Sequence, residues 1–309
     1  MAKQIRKDVG VWPGKKIAPG ERADLRLTVS KSYGGTAIKI PVHVWRGREP
    51  GPSVFISAAV HGDEMNGTGI IRHIIQEQPF DLTAGSLVLV PVLNILGFEQ
   101  LSRYSPDRRD LNRSFPGSKR GSVSSRLARV IFDNIVGRCD YGIDLHTAAV
   151  RRTNYPNARA DMEQEATARL ATLFGAELLL NTPGPEGSLR RAAVQVGCAT
   201  MILEAGEVWK VEPSVVEYAL RGIRNVLVGL KMIQGEIVEP AFRMVAEETK
   251  WMRAETGGFL RFHVRPGDMV EEGQPLATNT SLAGKVLNTI VAPGDATEDT
   301  QSHSSAEQD

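Results

Sequence analysis

The sequence has few cysteines, no excess of charge of either sign and no long apolar run. Only Cys139 and Cys198 occur in 309 residues, which excludes a disulfide-rich scaffold and a zinc site built from cysteines. The formal net charge is +1, so no overall field favours a nucleic acid or an anionic membrane as a partner. No run approaches the roughly 20 apolar residues that span a bilayer. The basic N-terminus is not followed by an apolar run, so we expect no signal peptide and a cytoplasmic protein.

Short apolar runs alternate with helical patterns through most of the chain. Residues 53–60 (SVFISAAV) and 86–92 (SLVLVPV) are continuous apolar runs, which are typical of strands covered on both faces. The segment between them, GTGIIRHIIQEQ, has apolar residues at helical spacing. DYGIDLH and ATMILEAG fit further strands, and a long helix is predicted to begin at Pro213. This alternation predicts an α/β domain with a parallel or mixed central sheet and helices on both faces.

The pattern changes near Pro240, and this change sets the predicted domain boundaries. Residues 1–235 form the predicted large domain, with its core at about 35–235, and 235–240 is the linker. Residues 240–294 have short alternating runs broken by glycine and proline, which predicts a small all-β, barrel-like module. Residues 295–309 (DATEDTQSHSSAEQD) are polar, and we expect them to be disordered.

The motif HGDE, from His61 to Glu64, directly follows the first buried run. Functional groups of open α/β sheets collect where strands end, and imidazole and carboxylate are ligands that zinc accepts. Gly62 allows a tight turn that brings His61 and Glu64 to one point. The pair alone is weak evidence for a metal, because a capped helix start with a hydrogen-bonded histidine would show the same residues.

A second motif, DLHT, places His146 at the end of another strand. Catalytic zinc commonly has three protein ligands, so His146 is a candidate for the third. Asp144 lies two residues earlier on the same face of the strand and is a candidate for orienting a zinc-bound histidine. The alternative is a buried Asp-His pair that serves only the fold.

Two further segments carry candidate catalytic and binding groups. ILEAGE places Glu204 at a strand end, where a carboxylate can take a proton from the attacking water and pass it to the leaving amine. Glu207 lies further into the loop and is compatible with a solvated charge. The loop 102–117 contains the pair Asn112-Arg113, and guanidinium groups bind carboxylates through paired hydrogen bonds. Such a loop is also compatible with a solvated surface.

The order HGDE, DLNR, DLHT and ExG resembles the succinylglutamate desuccinylase/aspartoacylase family, relatives of the zinc carboxypeptidases. The resemblance covers residues 35–235 and implies a zinc-carboxypeptidase-like fold. It is strongest for a bacterial subgroup often encoded beside a RimK-type glutamate ligase. The β module resembles the barrel-like domain of these enzymes, although it diverges after residue 294. The resemblance assigns metal binding to His61, Glu64 and His146, catalysis to Glu204 and Arg103, and substrate binding to Asn112 and Arg113.

These observations predict a zinc-dependent hydrolase with one Zn²⁺ per chain that cleaves an amide bond of a small N-acylated amino acid. A carboxypeptidase that removes C-terminal residues, including glutamate, would use the same site and accept a short peptide. A non-catalytic metal- or ligand-binding protein on the same fold is the alternative from another class. Cobalt or manganese would fit the same ligand set. The acyl group, the amine and the number of subunits stay open, with a homo-oligomer among the alternatives.

Overall fold

The computed structural model describes residues 7–31 and 34–293, and its largest feature is a sheet of nine strands. Fourteen strands occur in these residues: β1 (Val11–Trp12), β2 (Lys15–Lys16), β3 (Arg22–Lys31), β4 (Ala37–Arg46), β5 (Glu49–Ala58), β6 (Ala84–Val90), β7 (Tyr141–His146), β8 (Asn154–Ala160), β9 (Leu178–Asn181), β10 (Ala199–Gly206), β11 (Met244–Ala246), β12 (Phe259–Phe262), β13 (Pro275–Thr280) and β14 (Val286–Val291). The expected tail at 295–309 lies outside the described residues.

Six α-helices connect these strands: α1 (Asn66–Glu77), α2 (Ile95–Phe98), α3 (Val123–Asn134), α4 (Glu165–Phe174), α5 (Leu189–Gln195) and α6 (Pro213–Gly229). Serine side chains cap the N-termini of two of them. Ser122 accepts a hydrogen bond from the first turn of α3, and Ser188 accepts one from the first turn of α5. Pro213 opens α6, as expected for a residue without a backbone N–H. In the described residues no helix combines the length and apolar character needed to cross a membrane.

The large sheet has the order β11-β9-β8-β10-β7-β5-β6-β4-β3. Its centre is parallel, since β5 pairs in parallel with β6 and β7, and β7 pairs in parallel with β10. Strands β3 and β4 run antiparallel at one side, and β8 runs antiparallel to β10 at the other. The predicted mixed α/β sheet with helices on both faces is therefore confirmed.

Two hydrophobic clusters lie on opposite faces of this sheet. One packs α1, α4 and α6 against the sheet, and its members include Ile71, Phe174 and Ile223. The other packs α3 and α5 against the opposite face, with Phe55 and Phe132 among its members. Burial on both faces explains why the central strands read as continuous apolar runs rather than as alternating ones.

The parallel centre of the sheet determines where the polar motifs meet. Strands β5, β7 and β10 lie side by side and point the same way, so their carboxyl ends share one edge. His61 follows the end of β5, His146 ends β7, and Glu204 lies near the end of β10. The register pairs Glu204 directly with His146. The fold thus brings three separate sequence motifs to one crevice, as expected for open α/β sheets.

The region predicted as a small β module contributes to two sheets. Strand β11 pairs in parallel with β9 and forms an edge of the large sheet. The first strand after Pro240 therefore belongs to the large sheet. Without β11, the backbone N–H and C=O groups along the edge of β9 would lack hydrogen-bond partners, and β11 supplies them. Strands β12, β13 and β14 form a separate three-stranded antiparallel sheet, so antiparallel strands are present in this region. The division of the chain into domains stays a prediction.

Packing of α4 against α6 gives a test of the core. Phe174 is 1% exposed, and a Cβ at Gly222 would lie 2.3 Å from its ring, so the two helices meet at this contact. We predict that Phe174→Ala lowers the free energy of unfolding by about 3–5 kcal/mol, because it removes buried apolar surface and leaves a cavity. Urea unfolding measures this change. The control Phe262→Ala removes a half-exposed ring and should change stability by less than about 0.5 kcal/mol. Equal effects of both substitutions would contradict this account.

Candidate functional site

The loop after β5 turns tightly because it packs against the backbone of α2. A Cβ at Gly62 would lie 2.1 Å from the carbonyl carbon of Gly97, so only glycine fits at this position. The backbone N–H of Glu64 donates to the carbonyl oxygen of His61 at 3.2 Å. This turn brings Nδ1 of His61 to 2.6 Å from Oε1 of Glu64. The close approach expected from the motif therefore occurs in the structure.

His146 completes a cluster of three buried side chains. Its Nδ1 lies 3.0 Å from Oε2 of Glu64, and the backbone N–H of Thr147 donates to the same oxygen at 3.1 Å. One ligand atom from each of His61, Glu64 and His146 lies within 4.8 Å of the others. The structure thus brings together the residues that the sequence assigned to a metal.

Each histidine also contacts an aspartate through its other ring nitrogen. Nε2 of His146 lies 2.9 Å from Oδ2 of Asp144, and Ser57 donates to the remaining oxygen of Asp144 at 2.7 Å. Nε2 of His61 lies 3.2 Å from Oδ1 of Asp110. Asp144 was proposed for such a position from the sequence, whereas Asp110 was not singled out. Its place at the start of DLNR was the available signal, but its partner His61 is 49 residues away.

Charge interactions within the cluster compensate for its burial. Burial lowers the pKa of His146, but Asp144 and Glu64 outweigh burial and hold the pKa well above its usual range. Burial likewise lowers the pKa of His61, and Glu64 and Asp110 more than reverse this effect. For Glu64, burial raises the pKa, but the two histidines hold it well below its usual range. A negative carboxylate between two histidines therefore defines the centre of the cluster.

The donor set fits a divalent metal ion. Both histidines place Nε2 against an aspartate, so a proton held on Nε2 leaves Nδ1 of each ring as a lone-pair donor facing Glu64. Two imidazole nitrogens and one carboxylate form a ligand set that zinc commonly uses in catalytic sites. The residues that would hold the ion are His61, Glu64 and His146.

Glu204 lies beside this cluster, on the neighbouring strand. It is directly opposite His146 in the β7–β10 register. Nδ2 of Asn154 donates to its Oε2 at 2.9 Å, and a guanidinium nitrogen of Arg159 lies 3.9 Å from its Oε1. Glu207, by contrast, contacts Lys210 at 3.0 Å and Thr153, and its side chain is 39% exposed. Glu204 is thus the glutamate of this segment that reaches the candidate site.

The segment between α2 and α3 supplies three further predicted residues. A guanidinium nitrogen of Arg103 lies 3.5 Å from Oε1 of Glu64, and another lies 3.2 Å from Oδ2 of Asp110. Oδ1 of Asn112 accepts a hydrogen bond at 2.9 Å from the backbone N–H of Leu189, which leaves Nδ2 for a ligand. Arg113 donates to the carbonyl oxygen of Asn112 and is exposed. The loop therefore joins cationic and amide donors to the cluster.

One cavity of about 660 Å³ brings these residues together. It is lined by most of the residues predicted from the sequence: His61, Glu64, Arg103, Asn112, Arg113, His146 and Glu204. Asp144 lies behind His146, outside this lining. Sequence analysis missed four charged lining residues, which belong to no recognisable motif: Arg152, Arg159, Arg190 and Glu247. Arginine therefore predominates over glutamate in the wall.

Comparisons with known proteins show which chains this one is similar to. The N-alpha-acetyl-L-2,4-diaminobutyric acid deacetylase of Halomonas elongata is 27% identical over 266 residues, which cover 82% of this chain and 78% of that protein. The product-bound ectoine utilization protein EutE (DoeB) from Ruegeria pomeroyi is 24% identical, covers 94% of this chain and 91% of its own, and has a TM-score of 0.78. A succinylglutamate desuccinylase/aspartoacylase from Rhodobacter sphaeroides is 24% identical, covers 88% of both chains, and has a TM-score of 0.76.

These structures share the fold of this chain, and the predicted zinc-carboxypeptidase-like architecture is confirmed. The sequence model of the protein family described as the succinylglutamate desuccinylase/aspartoacylase catalytic domain matches residues 50–230, which is more than half of the chain. The matched range includes the candidate metal cluster, the loop with Asn112 and Glu204. The chain therefore belongs to the succinylglutamate desuccinylase/aspartoacylase family.

Proposed function

We propose that the protein is a zinc-dependent hydrolase that cleaves the amide bond of a small N-acylated amino acid. The observation that carries this proposal is the pairing of Glu204 with His146 in the register of two parallel strands. This pairing sets a carboxylate beside a buried cluster of metal-binding type, in a cavity that also contains Asn112 and Arg113. The family and the deacetylase from Halomonas elongata support the same class of reaction.

The metal cluster would hold one zinc ion through His61, Glu64 and His146. When bound, zinc lowers the pKa of a water molecule and polarises a carbonyl group. Asp144 and Asp110 hold the two imidazole rings in place through their Nε2 atoms. Arg103 adds a positive charge next to Glu64, where it can stabilise negative charge that develops on the carbonyl oxygen.

Glu204 is the proposed proton carrier. Its carboxylate takes a proton from the attacking water and then delivers it to the nitrogen of the leaving amine. Asn154 fixes its orientation through the hydrogen bond to Oε2. Because Glu204 faces the cavity from the strand next to His146, one side chain can serve both proton transfers.

Asn112 and Arg113 are the proposed anchor for a substrate carboxylate. Arg113 supplies a guanidinium group and Asn112 an amide, and both line the cavity. The hydrogen bond between Oδ1 of Asn112 and Leu189 at the start of α5 holds the amide in one orientation. An anchored carboxylate would place the neighbouring amide bond at a constant distance from the metal cluster.

A substrate screen tests the proposed reaction. The zinc-loaded protein would be given N-acetyl and N-succinyl amino acids, N-acetyl-2,4-diaminobutyrate and unacylated glutamyl peptides, with release of free amine as the measurement. Hydrolysis of N-acyl amino acids is the expected result. Cleavage of C-terminal residues from unacylated peptides alone would instead identify a carboxypeptidase, and no hydrolysis of any compound would overturn the proposal.

The role of Glu204 is tested by Glu204→Gln. Glutamine keeps the size of the side chain and can still accept the hydrogen bond from Asn154, but it cannot take up a proton. We predict a loss of about 100- to 10,000-fold in kcat with unchanged zinc content, measured by steady-state kinetics and metal analysis. Glu207→Gln is the control, because Glu207 pairs with Lys210 outside the cavity lining. Full activity of Glu204→Gln would remove Glu204 from the mechanism.

The aspartates behind the histidines give a separate prediction. Asp144→Asn and Asp110→Asn should each weaken zinc binding by about 10- to 100-fold, because the neutral amide no longer holds the proton on Nε2. Competition with a chromophoric chelator measures the dissociation constant. Asp24→Asn is the matched control, since Asp24 contacts His43 at 2.8 Å in an Asp-His pair far from the cavity along the sheet. Unchanged zinc affinity in both Asp144→Asn and Asp110→Asn would refute the proposed roles.

A further inference from the structure

Strand β8 contains one extra residue relative to its partner β10 next to Glu204. Glu204 pairs with Asn157, and Gly206 pairs with Asn154. Two steps along β10 therefore correspond to three steps along β8, which is a β-bulge. In a regular strand successive side chains alternate between the two faces, so Asn154 and Arg159 would lie on opposite faces. Both line the cavity, and the bulge accounts for this.

The bulge determines which side chain of β8 reaches the proposed proton carrier. Nδ2 of Asn154, a residue with 9% exposure, donates to Oε2 of Glu204 at 2.9 Å. Asn157, which is opposite Glu204 in the register, instead donates through Nδ2 to the carbonyl oxygen of Tyr155 at 2.8 Å. Pro156 between them has no backbone N–H to pair with β10, which favours an irregular step here. The orientation of Glu204 thus depends on the shape of the bulge.

The ring of Tyr155, in the middle of the bulge, packs against the backbone of Gly267. A Cβ at Gly267 would lie 2.4 Å from Cδ2 and 2.5 Å from Cε2 of this ring. The φ angle of Gly267 is +95°, a conformation that residues with a side chain rarely adopt. Both the close approach and the backbone conformation therefore require glycine.

Gly267 lies in a compact turn between β12 and β13 of the three-stranded sheet. The backbone N–H of Arg265 donates to Oδ2 of Asp268 at 2.7 Å, and the backbone N–H of Asp268 donates to the carbonyl oxygen of Arg265 at 3.0 Å. These two hydrogen bonds hold the turn in one shape on either side of Gly267. A fixed turn of the small sheet thus meets the bulge at Tyr155.

We propose that Tyr155, held by the turn at Gly267, is a positioning residue that maintains the bulge in which Asn154 orients Glu204. This inference rests on the proposed function, because it concerns Glu204 as the proton carrier. Tyr155 itself does not line the cavity. The three-stranded sheet therefore acts on the reaction through β8, without contact between Tyr155 and the substrate.

A kinetic test uses the N-acyl amino acid that the zinc-loaded protein hydrolyses fastest. Tyr155→Ala and Gly267→Ala should each lower kcat by about tenfold or more, because a small displacement of a catalytic group has effects of this size. KM and zinc content should change by less than about twofold, since neither residue lines the cavity. Tyr155→Phe keeps the ring against Gly267 and should restore kcat to nearly that of the unaltered protein.

Gly284→Ala is the matched control for Gly267→Ala. Gly284 has a φ angle of +78° in the same sheet, but no atom lies within 4 Å of an added Cβ. It carries a similar backbone strain without a contact to Tyr155, so kcat should stay unchanged. Unchanged kcat in Tyr155→Ala would overturn the positioning role, and this variant decides the matter if Gly267→Ala does not fold.

Double variants show whether the effect passes through Asn154. Asn154→Ala should lower kcat by about 10- to 100-fold, because it removes a hydrogen bond to a charged carboxylate. Adding Tyr155→Ala to Asn154→Ala should cause little further loss, since the two residues act on Glu204 by one route. Losses that multiply in the double variant would overturn the proposal, because a purely structural effect of Tyr155 would be independent of Asn154.

Nuclear magnetic resonance separates failure of the positioning role from failure of the proposed reaction. Protein labelled with ¹⁵N-asparagine gives a side-chain amide signal for Asn154, which is identified by its loss in Asn154→Ala. The signal should move in Tyr155→Ala and Gly267→Ala but not in Gly284→Ala. This result supports the positioning role even if no amide is hydrolysed. A signal that stays in place in both Tyr155→Ala and Gly267→Ala overturns it, whether or not N-acyl amino acids are hydrolysed.

Discussion

Glu64 is a carboxylate with 2% exposure, and its negative charge must be balanced inside the protein. His61 and His146 supply this balance from the ends of two strands. Each histidine then requires an acceptor at its far nitrogen, which is Asp110 for one and Asp144 for the other. A continuous line of carboxylates and imidazole rings in contact thus crosses the end of the sheet, and the surrounding strands and loops hold its members in position.

Sequence analysis predicted those site residues whose positions depend on the strand that directly precedes them in the chain. The buried runs before His61 and His146 identify parallel strands, and parallel strands end at one edge, so the meeting of these residues follows from strand order. Asp110 was missed because its contact with His61 depends on the path of a long loop. Arg190 was missed because Ser188 caps α5 and Asn112 binds Leu189, and only these contacts turn the helix start towards the cavity.

The segment after α6 shows how an edge strand contributes to a binding site. Strand β11 satisfies the backbone groups of β9, and the residues around it, Ala246, Glu247 and Thr249, then line the cavity. Glu247 also accepts a hydrogen bond from Asn181 at the end of β9. A contact that satisfies an exposed sheet edge therefore also shapes the cavity wall. Short alternating runs in the sequence predicted strands here but carried no information about which sheet each one joins.

The choice of arginine at position 190 follows from the depth of the wall. Burial and the neighbouring Arg159 lower the pKa of Arg190 to about 10, which still leaves the guanidinium group charged at neutral pH. A lysine begins from a lower pKa and would be much closer to losing its charge in the same surroundings. Arginine therefore keeps its positive charge at this depth. Glu64 and Arg190 are thus opposite cases of one constraint, since each buried charge is offset by opposite charges of the chain. The two histidines act on Glu64, and Asp161, Glu204 and Asp144 act on Arg190.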